Sequence, residues 1–155
     1  GAPAVCREGA DVRKLRVLFV CIGNACRSQM AEGFARAYGG DVLEALSAGV
    51  APYSHVPVGT KETMAEKGID LAAHFPKHVT EMADENIDLV INLSGSPLPF
   101  SVRHMRDWPV RDPFGDGEAA YRAARDQIEQ RVMDLVLEVR QLKEDWQGLG
   151  GGKAR

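Results

Sequence analysis

An α/β domain built on a parallel sheet is the fold class this sequence predicts, and three observations carry the prediction. Leu15 to Cys21 is a short, continuous apolar run, the pattern of a strand covered on both faces. Directly after a Gly-Asn break, Ser28 to Tyr38 places Met30, Ala31, Phe34, Ala37 and Tyr38 at helical spacing, and Gly39-Gly40 stops the helix. Apolar runs and helical stripes then keep alternating, and strands joined through helices pair in parallel with right-handed crossovers.

The remaining elements follow in order. Val42 to Ala48 reads as a second strand, Gly49 to Pro57 as a loop, and Val58 to Lys67 as a helix capped by Gly68 with Ile69 packing beyond it. Asp88 to Leu93 is a short apolar strand, and Trp108 to Val110 is the candidate for a last, very short one. The longest helix begins near Glu118, where Tyr121, Ala124, Ile128, Val132, Leu135, Val139, Leu142 and Trp146 recur every three or four residues. That stripe predicts one face packed on the sheet. The 155 residues suit one domain over positions 15–146, with loose ends at 1–14 and 147–155.

Composition narrows the function classes. Apolar residues at 45% and charged residues at 26% describe a globular chain. A net charge of -3 without a basic run speaks against nucleic-acid or membrane partners. Arg13, Lys14 and Arg16 before the apolar run superficially resemble a signal peptide, but Val17 to Ile22 is shorter than the roughly 7–15 residues such a core needs. Three cysteines, Cys6, Cys21 and Cys26, are too few for a disulfide scaffold and fit a reducing cytoplasm. His55, His74, His78 and His104 are scattered, so no zinc site is expected, and "GNACRS" lacks the Lys-Ser/Thr ending of a nucleotide-binding loop. The chain is expected to act as a monomer without a metal or organic cofactor.

The chemistry concentrates at Cys21 to Ser28. Ligands of parallel sheets bind beyond the carboxyl ends of strands, which is where Cys21 ends its strand. The amides of Ile22, Gly23, Asn24, Ala25, Cys26 and Arg27 can curl into a nest against the positive end of the following helix, a site for an oxyanion. Gly23 and Asn24 supply the tolerance of positive φ that such a curl needs. Arg27 can return its guanidinium to the nest and grip two oxygens of a tetrahedral dianion. The same positive potential favours a thiolate at Cys21, a nucleophile. Ser28 stands where it can hydrogen-bond that thiolate or cap the helix.

Cys21-Ile-Gly-Asn-Ala-Cys-Arg27-Ser28 resembles the Cys-x5-Arg-Ser loop of the low-molecular-weight protein tyrosine phosphatases and of the arsenate reductases that share their fold. The likeness runs on through Met30 to Gly33, Ser47 to Gly49, Gly68 to Asp70 and Asp112-Pro113, from about Arg16 to Arg140. It implies a four-stranded parallel sheet flanked by helices, a Rossmann-like three-layer arrangement. It further implies that Cys21 attacks phosphorus to give a cysteinyl-phosphate, that Arg27 and the loop amides hold the equatorial oxygens, and that Asp112 protonates the leaving oxygen. On residues alone Asp112 could equally open a turn before Pro113, with Asp107 and Asp116 as rivals. Asn24 and Ser47 resemble the polar residues that support the loop, and Cys26 resembles a redox partner that traps oxidised Cys21 as a disulfide.

Two enzyme readings compete. Tyr53 matches an aromatic flanking the phosphatase cleft and Phe114 stands where a tyrosine is usual, so phosphotyrosine-type monoester hydrolysis is the first reading, with a phosphorylated protein or small phosphomonoester as substrate. Gln29 replaces the usual phosphatase proline and Gly115 a second aromatic. The alternative is reduction of arsenate to arsenite. The two further cysteines of the thioredoxin-coupled reductases align with Ser94 and Ser101, so an external thiol would have to resolve the adduct. A module that binds an oxyanion or phosphoprotein without turnover is the third reading.

Overall fold

The computed structural model describes residues 13–82 and 85–148; most of the expected loose ends, over 1–12 and 149–155, and Cys6, lie outside them. The chain runs β1 (Leu15–Cys21), α1 (Arg27–Gly39), β2 (Leu43–Gly49), α2 (Val58–Ala65), a 3-10 turn (Val79–Met82), β3 (Leu89–Asn92), β4 (Met105–Asp107) and α3 (Glu118–Gly148). The sheet is four-stranded in the order β2-β1-β3-β4, with every pair parallel.

β1 is central and pairs along one side with β2, Cys21 opposite Gly49, and along the other with β3, Val20 opposite Asn92. Its alternate side chains enter separate cores. Val17, Phe19 and Cys21 face α1 and α3, packing with Met30, Phe34, Ile128 and Val132, while Leu18 and Val20 meet Val79 and Val90 under a cover of loops and the 3-10 turn. At about 1.5–3 kcal/mol per large buried apolar side chain, the helical face carries most of the hydrophobic stabilisation. Gly39 lets α1 approach α3, since a Cβ there would lie 2.5 Å from Val136.

Several expectations need correction. The last strand is Met105–Asp107, not Trp108–Val110. Met105 to Asp107 form the exposed sheet edge, whereas Trp108 and Val110 are buried just after it as the chain turns back over the core. The long helix packs on α1 and α2 as well as on the sheet, with Tyr121 to Val139 buried, but Leu142 and Trp146 are exposed because α3 outruns the elements beneath it. Gln147 and Gly148 continue that helix, and Arg13 is tied to Asp88 by paired hydrogen bonds, so neither position is loose. α2 ends at Ala65, two residues early; Gly68 then takes φ 75 and Ile69 donates to the Met64 carbonyl. No helix among the described residues is long and apolar enough to cross a membrane.

Candidate active site

The carboxyl ends of β1 and β3, the first turn of α1 and the segment after β4 converge on one small cleft. It is lined by Cys21, Gly23, Ala25, Cys26, Arg27, Tyr53, Asp112 and Phe114. Among the described residues, the backbone N–H groups of Gly23, Asn24, Ala25, Cys26, Arg27 and Ser28 make no hydrogen bond within the chain. Those amides and the N-terminus of α1 are therefore open to an anion.

The left-handed bend belongs to Asn24 (φ 49), the sole non-glycine with positive φ among the described residues. Gly23 does not take positive φ, contrary to expectation; a glycine is needed there because a Cβ would lie 2.7 Å from the Tyr53 ring. Asn24 is fully buried, and its side-chain amide and backbone carbonyl are all engaged. Its Nδ2 donates to Ser28 Oγ (2.7 Å) and Ser47 Oγ (3.0 Å), its Oδ1 accepts from the Lys77 amide (2.8 Å) and its carbonyl accepts from Gln29 Nε2 (3.1 Å). Ser47 Oγ in turn donates to Glu32 Oε1 at 2.5 Å.

Both Ser28 and Ser47 lie in that network. Ser28 makes no capping bond; it lies inside α1 with its Oγ 2.9 Å from Cys21 Sγ. Since Ser28 Oγ already accepts from Asn24, its own hydrogen is free to point at the sulfur. Ser47 is no idle strand-end serine but a buried link between the loop and Glu32.

Arg27 is 5% exposed and divided in function. Its Nη1 donates to the Leu93 carbonyl (2.6 Å) and the Val110 carbonyl (3.1 Å), its Nη2 lies 3.6 Å from Asp112 Oδ2, and its buried Nε has no partner. A buried donor without an acceptor costs about 1–3 kcal/mol, so the cleft is prepared for a ligand with oxygen acceptors. Asp112 takes the turn position and also faces the cleft: one oxygen lies across from Arg27 and the other accepts the Phe114 amide (3.1 Å). Its rivals are engaged elsewhere, Asp107 with Asn92 and Asp116 with Arg111.

Cys26 sits behind the loop, 3% exposed, with Sγ 3.9 Å from the Tyr121 hydroxyl. Burial pushes its thiol up to about 11 and the Tyr121 hydroxyl up to about 12. Tyr53 and Phe114 stand at the mouth in edge contact, ring centroids 5.1 Å apart. Ser94 Oγ is turned onto the Asn92 side chain.

A family model described as low molecular weight phosphotyrosine protein phosphatase matches residues 16–147. The chain belongs to that family. Within it, the following relatives are named for the other activity of this fold. A putative arsenate reductase of Halobacterium salinarum is 39% identical over 76% of this chain and 87% of its own length. The glutaredoxin arsenate reductase of Synechocystis is 33% identical over 80% of this chain and 98% of its own. A solved arsenate reductase in a phosphate-binding state superposes with a TM-score of 0.74 at 32% identity, covering 81% of this chain and 98% of that one. The order of the two enzyme readings is thereby reversed: arsenate reduction is supported ahead of phosphotyrosine hydrolysis.

Sequence reasoning missed several members of the site. Gln29, read only as a departure from the phosphatases, is fully buried and joins the Asn24 and Phe75 carbonyls to His74 Nδ1 (2.9 Å). Glu32 is a buried carboxylate paired with Arg36. Gly49 lies so close beneath the loop that a Cβ would meet the Ile22 carbonyl at 2.6 Å and the Asn24 amide at 2.8 Å. Glu32, four positions beyond Ser28 on the same helix face, was the one available signal, and it reads the same as a solvated helix residue.

Proposed function

We propose that this chain is an arsenate reductase that forms a thiol adduct at Cys21 and relies on an external thiol to complete the reduction. The observation that carries the reading is the unpartnered Arg27 Nε beside Cys21, facing a loop whose amides are likewise open. The names of the relatives support arsenate as the oxyanion. Arg27 and the amides of Gly23 to Ser28 would hold three arsenate oxygens, and the fourth would lie in line with Cys21 Sγ, near Asp112.

In this mechanism Cys21 thiolate, held by Ser28, attacks arsenic; Asp112 delivers a proton to the departing oxygen, which leaves as water. A thiolate from the reductant then attacks Cys21 Sγ. The S–As bonding pair departs with arsenic, which falls from the pentavalent to the trivalent state as arsenite. The resulting mixed disulfide on Cys21 is cleared by a second thiol. Cys26 is a poor candidate for the internal thiol, since burial keeps it protonated near neutral pH. A small cytoplasmic thiol or a glutaredoxin-like protein suits the external role, and the name of the Synechocystis relative points the same way. No resident metal or organic cofactor enters any step.

One side-by-side assay tests this: arsenite formation with glutathione and glutaredoxin, and p-nitrophenyl phosphate hydrolysis, with Cys21→Ser as the blank. Brisk thiol-dependent arsenite production beside feeble hydrolysis is expected. Hydrolysis that depends on Cys21 with negligible arsenite would return the protein to the phosphatase reading.

A further inference from the structure

The rings at the mouth of the cleft touch each other, and from this we infer that Tyr53 and Phe114 form a size gate that passes a bare tetrahedral oxyanion and turns away aryl phosphates. This rests on the oxyanion reading above and sharpens its substrate class. A phenyl ring stacked between two others needs about 3.5–4 Å on each face, hence about 7–8 Å between the flanking rings. Tyr53 and Phe114 leave 5.1 Å between centroids at an interplanar angle of 71°. An aryl group therefore enters only by parting them, whereas an inorganic oxyanion has no ring to seat there.

The two halves of the gate are held differently. Tyr53 donates its amide to the Gly23 carbonyl (3.0 Å) and lays its ring on Gly23, so it cannot retreat without moving the loop. Phe114 is 48% exposed, and the glycines that follow it, Gly115 (φ 83) and Gly117 (φ 90), have open space around them. Phe114 is the movable half. Its edge contact with Tyr53 is lost whenever an aryl ligand binds, a penalty that a bare oxyanion avoids, and a contact of this kind is worth up to about tenfold in an equilibrium constant.

The sign of one substitution separates a gate from a pair of aromatic walls. Affinities for inorganic phosphate and for phenylphosphonate would be measured by calorimetry on Cys21→Ser and on Cys21→Ser with Phe114→Ala. A gate predicts that the phenylphosphonate-to-phosphate affinity ratio rises about tenfold on truncation, and rises less with Phe114→Leu. A ratio that stays level or falls overturns the gate, because walls lose aryl contact when Phe114 is shortened. In the Cys21-containing enzyme, the same truncation should raise p-nitrophenyl phosphate turnover relative to arsenite formation. If the unsubstituted protein forms no arsenite the reductase reading falls, and the binding ratio still decides the gate.

Discussion

The two sides of the cleft are built by opposite means. The Cys21 to Ser28 loop is buried and cross-tied: Asn24 alone is held by Ser28, Ser47, Lys77 and Gln29, and Gly49 leaves no room beneath it. The facing segment from Arg111 to Gly117 is mostly exposed, with two turn bonds (the Phe114 amide to Asp112 and the Asp116 amide to the Pro113 carbonyl), a weak Arg111–Asp116 pair at 3.7 Å and two glycines at positive φ. The cross-tied wall holds Cys21 and the open amides, while the looser wall carries Asp112 and the Phe114 half of the proposed gate. Preorganised electrostatics belong on the first, and passage of substrate and product belongs on the second.

Substitutions on each wall should therefore fail differently. The largest effect is expected for Arg27→Lys, since a point-charge ammonium cannot bind two backbone carbonyls and an oxyanion together. Turnover should drop by about 10²–10³-fold, and the midpoint of thermal unfolding should fall as well; unchanged melting would refute the double duty assigned to this side chain. Asp112→Asn, on the pliant wall, should slow turnover by about 10²-fold, the lower end for a general acid because the carboxylate is half exposed. Its melting temperature should hardly move, and a large loss of stability would mean that this wall is structural after all. Asn24→Ala removes the tolerance of φ 49 and strands several buried partners, so a loss of about 2–3 kcal/mol is expected in denaturant titration. Gly115→Ala meets only the positive-φ penalty of about 1 kcal/mol.

The smallest effect concerns pH. Burial, with Arg36 and Lys77 nearby, lowers the folded-state pKa of His74 below its ordinary 6.5, against the pull of Glu32 and Asp70. The unfolded chain then binds the proton more readily, so this stability is present above the unfolded pKa and is lost as pH falls through about 6.5 towards the lower folded value. His74→Gln should flatten that part of the stability curve; an unaltered slope would show that the rigid wall does not feel this group.

What could be read from the chain, and what could not, follows the same division. β1 and α1 were legible because burial on both faces, or on one helical stripe, leaves a periodic trace in adjacent residues. Cys21, Arg27 and the helix start were legible because the loop is local and a single turn brings its groups together. Ser47 as a support of that loop came only through the family resemblance, and Gln29, Glu32 and His74 not at all, because their partners are set by tertiary register: Ser47 reaches Asn24 only because β2 pairs with β1 with Phe19 opposite Ser47, and His74 reaches Gln29 from 45 residues away. β4 was misplaced because its residues are exposed at the sheet edge, while the apolar Trp108 and Val110 beside it are buried for reasons unrelated to strand pairing.

The bonds from Arg27 Nη1 to the carbonyls of Leu93 and Val110 have a consequence for the whole molecule. They staple the end of β3 to the crossover that leads into α3, so the side chain that greets the substrate also closes the fold. Occupancy and folding are then linked: an oxyanion at one hundred times its dissociation constant would stabilise the native state by about 2.7 kcal/mol. The protein should be hardest to unfold when its substrate is most abundant.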